Sequence, residues 1–171
     1  MNSWKLAQFG FQRYLFEIRY MYASGGKMAA DRATLRILLP VDGSENSDRA
    51  VQLLIGLYER FAPVEVRVLH VVGPVFAGDA LSRQEAAERN SADRGRDALQ
   101  SAQALLDGAG IPHTREIREG YVPQEIVRYA KETQCTGIIM GTRGMGTTDE
   151  IFGSVVRQVI ALASIPVTLV K

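Results

Sequence analysis

Arg36-Ile37-Leu38-Leu39-Pro40-Val41 runs directly into Asp42-Gly43-Ser44. A short, continuously apolar run closed by turn residues suits a strand buried on both faces, as in a parallel sheet. The residues that follow, 44–61, carry Ala50, Val51, Leu54, Leu57, Tyr58 and Phe61 at helical spacing behind a Ser44/Ser47 cap region, which predicts an amphipathic helix. Buried strand, turn and helix in that order open a βαβ unit.

The same rhythm continues to the end of the chain. Strand patterns recur at 64–72, 113–119, 137–140 and 166–170, the third of them polar enough to be an edge. Helical patterns fill the intervals. Residues 80–107 are rich in Ala, Glu, Arg and Gln and are followed by Gly108, read as the stop. Residues 122–133 have Pro123 in the first turn and repeat Ile126, Val127 and Ala130. Residues 151–163 place Ile151, Val155, Val159 and Leu162 on one face. Five strands alternating with four helices predict an α/β fold: an open, doubly wound, five-stranded parallel sheet with helices on both faces.

Composition permits one such domain. The chain has 171 residues, 46% of them hydrophobic and 23% charged, and its net charge is +1, so no global field draws it to nucleic acid or a membrane. One cysteine, Cys135, excludes an internal disulfide framework and suits a reducing compartment, so a cytoplasmic location is expected. With that cysteine and only His70 and His113 for histidines, no structural zinc site is expected.

Residues 1–33 stand apart as an N-terminal extension to a domain at 34–171. Within 1–27, Lys5, Arg13, Arg19 and Lys27 oppose only Glu17, and Trp4, Ala7, Phe11, Tyr14, Ile18 and Met21 make one helical stripe before Gly25-Gly26. Three readings stay open. Residues 4–22 dock on a membrane surface or a partner, or pack on the domain, or precede a true start at Met28.

Ligands of open parallel sheets bind beyond the carboxyl ends of the strands, where strand order reverses. Those ends offer Pro40, Val41 and Asp42, then His70 and Val71, then Met140, Gly141, Thr142, Arg143, Gly144 and Gly146, with a helix starting near Gly153-Ser154. Glycines between a strand and a helix let the backbone approach an anion, and the helix start adds partial positive charge. Arg143 and the Ser154 hydroxyl add donors, and Asp42 suits a ribose hydroxyl or a phosphate-bound metal ion. Neither the dinucleotide fingerprint after the first strand nor a P-loop is present.

At this point a family resemblance appears. The segments Ile37-Leu38-Leu39-Pro40-Val41-Asp42-Gly43-Ser44, Val68-Leu69-His70-Val71, Gly120-Tyr121-Val122-Pro123-Gln124-Glu125-Ile126 and Ile139-Met140-Gly141-Thr142-Arg143-Gly144, with Gly153-Ser154-Val155, resemble the universal stress protein family, in order and at family spacing over 34–171. The resemblance implies an adenine nucleotide alpha hydrolase-like sheet in the order 3-2-1-4-5 and a homodimer paired along the last strand, Pro166 to Val170. It implies ATP with Mg or Mn as ligand and a role as a regulator or sensor in stress response. Asp42 would meet the ribose and phosphates, and through them the metal indirectly. Pro40 and Val71 would lie near adenine, with Val41 beside them. Met140, Gly141, Gly144, Gly153, Ser154 and Val155 would surround the phosphates, with Arg143 adding charge. In the family's ATP-binding branch nine residues separate the second and third signature glycines. Here eight, 145–152, separate Gly144 from Gly153. A second departure is Thr136-Gly137, where relatives place an acidic residue, and its effect is expected at the strand entry.

Other reactive side chains have simpler roles. His70 reads as a hydrogen-bonded core residue, His113 as a solvated one, and Cys135 as an unreactive thiol. Arg83 to Arg96 reads as a solvated, mixed-charge helix face. No acid/base pair stands at the strand ends, so the site suits binding, with slow ATP hydrolysis at most. The competing class is a protein that holds no nucleotide and works through partner surfaces.

Overall fold

Strands and helices alternate in the computed structural model, which describes residues 35–58, 64–73, 81–144 and 152–171, less the side chains of 81–92 and 94. The elements are β1 (Leu35–Pro40), α1 (Glu45–Tyr58), β2 (Val64–Val72), α2 (Leu81–Gly108), β3 (His113–Glu119), α3 (Val122–Glu132), β4 (Gly137–Gly141), α4 (Ser154–Leu162) and β5 (Val167–Val170). The amphipathic pattern at 4–22 lies outside the described residues, and the compact unit they form starts at Leu35.

All four strand pairings are parallel, and the sheet order is β3-β2-β1-β4-β5. Leu35 pairs with Val64, Val66 with His113, Ile37 with Gly137 and Ile138 with Val167. The chain therefore steps from β1 through β2 to β3, crosses back to β4, and moves outward to β5. Right-handed crossovers then place α1 and α2 on one face and α3 and α4 on the other. The helix contacts agree: α1 touches α2, and α3 touches α4. Every residue of β4 is buried, whereas β3 alternates between intermediate and exposed positions as an edge strand should. Leu38, Leu69 and Ile138 are sealed between the sheet and Ile126, Tyr129, Ala130, Val156 and Val159.

One helix stop corrects the sequence reading. α2 includes Gly108 as its last residue and is stopped by Gly110, whose φ is +68°. Its amide reaches the Asp107 carbonyl at 2.9 Å and that of Ile111 reaches Leu106 at 2.9 Å. These are the paired bonds of a Schellman stop, which need a left-handed residue, and only Gly110 sits where they form. α4 starts at Ser154 behind an extended Gly153, the start expected at the Gly153-Ser154 step within the 151–163 pattern. Its buried stripe is Val156 and Val159, while Leu162 is 50% exposed. Among the described residues β5 is the last strand on that side of the sheet. Ile151 lies outside the described residues.

The Thr136 departure acts at the strand entry, as expected. The Thr136 amide donates to the Arg36 carbonyl at 2.8 Å, and its hydroxyl accepts from the Arg36 amide at 3.0 Å. A neutral hydroxyl thus aligns β4 with β1.

Candidate nucleotide site at the strand reversal

β1 and β4 are neighbours, yet the chain leaves them in opposite directions, so a crevice opens above their carboxyl ends. A cavity of about 400 Å³ occupies it. All eleven residues selected from the sequence line this cavity: Pro40, Val41, Asp42, Val71, Met140, Gly141, Arg143, Gly144, Gly153, Ser154 and Val155. Ser47, Leu69, Val122, Ile126 and Val156 line it too and were not selected. Val122 and Ile126 form an apolar i, i+4 pair at the start of α3, a signal read only as helix core. Ser47 was read as part of the cap, and its amide does donate to the Ser44 hydroxyl oxygen, at 3.2 Å.

The floor of the cavity is built by backbone geometry. Gly43 has φ +78°, and the Ser44 amide donates to Asp42 Oδ1 at 3.0 Å. This local turn holds the carboxylate beside the loop that follows β4. The Arg143 carbonyl of that loop accepts from the Ser44 hydroxyl at 3.4 Å and from Asn46 Nδ2 at 3.5 Å. The two loops are therefore fastened together through the first turn of α1. Two glycines make the approach possible. A Cβ on Gly141 would stand 2.8 Å from both the backbone carbon and the Cβ of Asn46, and one on Gly144 would run into Asp42 Oδ2. Gly141 thus serves packing of α1 on β4, while Gly144 serves the entry of Asp42.

Polarity divides the cavity. Pro40, Val41, Leu69, Val71, Val122 and Ile126 supply an apolar part. Arg143, Gly144, Gly153 and Ser154 supply the polar part, with Asp42 present as the lining carboxylate. The first amides of α4 have no carbonyl one turn earlier in the helix, and they carry the positive end of its dipole. Among the described residues, the buried Nε of Arg143 has no hydrogen-bond partner. An orphaned cationic donor beside a helix N-terminus is the donor set that a phosphate satisfies. Among the described residues, no group of three His, Cys, Asp or Glu side chains is placed to hold a metal ion.

The side chains given simpler roles divide as well. His70 is a buried, hydrogen-bonded residue as expected, its Nδ1 lying 2.8 Å from the Val41 carbonyl. His113 is not solvated: its side chain is 8% exposed and its Nδ1 lies 3.0 Å from the Ile111 carbonyl, because the α2–β3 turn folds back over the ring. Cys135 is buried at the foot of α3. Desolvation pushes its thiol up, offset in part by the Thr133 hydroxyl 3.2 Å away.

The universal stress protein family profile matches residues 34–171. This chain belongs to the universal stress protein family. The domain is 31% identical over 139 residues to universal stress protein MJ0531 of Methanocaldococcus jannaschii, covering 80% of this chain and 81% of that protein. Among solved structures, universal stress protein UspA from Lactobacillus plantarum aligns with a TM-score of 0.68 at 22% identity, covering 80% of this chain and 97% of that one. The universal stress protein from Archaeoglobus fulgidus in complex with dAMP aligns with a TM-score of 0.60 at 23% identity, covering 81% and 98%. Among the described residues of this universal stress protein, no helix is long and apolar enough to cross a membrane.

Proposed function

We propose that this universal stress protein binds an adenine nucleotide in the crevice above β1 and β4 and acts as a dimeric sensor or regulator in the cytoplasm. One observation carries the reading. An apolar wall and a phosphate-type donor set face a single cavity, with the unpartnered Arg143 Nε at the donor end. The flat base lies against Pro40, Val41 and Val71, the ribose meets Asp42, and the phosphates meet Gly141, Arg143, Gly144 and the start of α4 at Gly153, Ser154 and Val155. The dAMP complex of the Archaeoglobus fulgidus protein supports a nucleotide ligand for this fold. With ATP, Mg or Mn would be held by the phosphates and reached by Asp42. Among the described residues that line the cavity Asp42 is the one acidic side chain, and in this reading the lining binds and orients the nucleotide.

The dimer pairs along β5. Among the described residues that strand is the sheet edge and its residues are only partly buried, and Ile160 and Leu162 of the preceding helix α4 are 48% and 50% exposed. The domain is 34–171, with 1–33 as a separate extension.

The spacing of eight residues between Gly144 and Gly153 favours a second reading, in which no triphosphate is held and the dimer surface recruits a partner. Isothermal titration with AMP, ADP and ATP, each with and without Mg, tests both. Binding of any of the three, weakened by Gly144→Val without unfolding, supports the nucleotide reading. No heat at millimolar nucleotide refutes it and leaves the partner reading.

A further inference from the structure

We propose that His70 is the positioning residue of the Asp42 turn and transmits the seating of α2 to the nucleotide cavity, an inference that rests on the nucleotide reading above. Val41 lies one residue beyond the end of β1, yet both its backbone groups are held by β2. Its amide donates to the Leu69 carbonyl at 2.8 Å, and its carbonyl lies 2.8 Å from His70 Nδ1. A carbonyl only accepts, so Nδ1 carries the proton and donates. This bond sets the plane of the peptide that leads into Asp42, whose carboxylate then receives the Ser44 amide.

The ring is buried and lies against α2. A Cβ on Gly95 would fall 2.6 Å from His70 Cδ2 and 2.9 Å from Nε2, so the helix backbone rests on the imidazole edge. Three residues on, a Cβ built on Gly43 would meet the Cβ of Ala98 at 3.4 Å. After another three, the Ser101 hydroxyl donates to Asp48 Oδ1 at 3.2 Å. Positions 95, 98 and 101 share one face of α2. That face runs from the His70 ring past the Asp42 turn to α1, so a displacement of α2 presses on the ring and turns the Val41 carbonyl. His70 does not line the cavity. Its action on a ligand passes through Val41 and Asp42.

The full-length chain tests this with His70→Leu, His70→Asn and Gly95→Ala, reading AMP affinity, the urea midpoint and the exchange rate of the Ser44 amide. Asparagine places an amide donor where Nδ1 stands, and leucine places none. His70→Leu is expected to weaken AMP about tenfold and His70→Asn to restore it to within about threefold. The Ser44 amide should exchange faster in the leucine variant while the β5 amides keep their rates. Gly95→Ala should weaken AMP in the parent chain and add little to His70→Asn, because asparagine lacks the ring edge that the methyl group strikes. Equal binding by the leucine and asparagine variants, or additive effects of Gly95→Ala, overturns the proposal. If the leucine variant does not fold, the Gly95→Ala and His70→Asn cycle decides. If the parent chain binds no nucleotide, the nucleotide reading fails. Ser44 exchange then judges His70 by itself, and an unchanged rate in the variants overturns its positioning role.

Discussion

A methyl group on Gly144 would strike Asp42 Oδ2. The struck atom is the end of a short, half-buried side chain, so the carboxylate yields by rotating. Rotation breaks its bond from the Ser44 amide, now 3.0 Å long, a charge-assisted contact worth about 1.5–3 kcal/mol when fully desolvated. Water reaches Asp42 and recovers part of that, which leaves a net stability loss of about 1 kcal/mol. The ligand loses more. The carboxylate turns away from the ribose position and the methyl group narrows the phosphate loop, so two losses of about 1.4 kcal/mol each weaken AMP about a hundredfold. Gly141→Ala is the control. Its Cβ meets Asn46 backbone at 2.8 Å, which cannot rotate away, so α1 is pushed off β4 and stability falls by about 1–3 kcal/mol. Titration calorimetry with AMP, beside urea unfolding followed by circular dichroism, reads both quantities. Wild-type affinity in Gly144→Ala, or an unfolding midpoint lowered as far as in Gly141→Ala, refutes the reasoning.

Arg143→Met removes the cation that lines the cavity. AMP affinity should fall about tenfold and lose salt dependence, while adenosine binds as before; an equal loss for adenosine would place Arg143 elsewhere in recognition. Burial raises the Cys135 thiol, so folding favours the protonated form. Its stabilisation is complete below about pH 8.5 and disappears as pH rises through the raised value. The urea midpoint should therefore drop from pH 8 to pH 10 more steeply in the parent than in Cys135→Ala, and equal slopes would contradict this. Burial also raises the Tyr129 phenol, so Tyr129→Phe should remove part of the remaining loss at the alkaline end of the same titration. Leu169→Arg places charge on the partly buried β5 edge, and sedimentation velocity should show monomer in place of dimer; an unchanged dimer would move the interface off β5.

Much of the fold was readable from periodicity. Ile37 to Pro40 and Ile138 to Gly141 are apolar without a break because both faces of those strands are covered, and the polar alternation at His113 to Glu119 marked an edge for the opposite reason. Helix ends were read less well. Gly108 and Gly110 both follow the last apolar residues of α2, and which one turns left-handed depends on where Ile111 must enter the core to reach Leu106. Leu162 matched the spacing of Val155 and Val159, yet spacing alone does not reveal that the sheet stops at β5.

The chain order alone placed Asp42, Gly141, Arg143, Gly144, Gly153 and Ser154 at strand and helix ends that a doubly wound sheet brings to one side, because strand direction and crossover handedness are local and chiral properties. Tertiary structure decided how those ends meet. Asn46 closes over Gly141, the Asp42 carboxylate abuts Gly144, and Val122 with Ile126 completes the apolar part of the cavity. Each of these contacts joins elements distant along the chain, and its distance follows from how helices pack on the sheet. Periodicity encodes which face of an element is buried. It carries no record of the atom waiting on the other side, and for His70 that atom is the carbonyl of Val41.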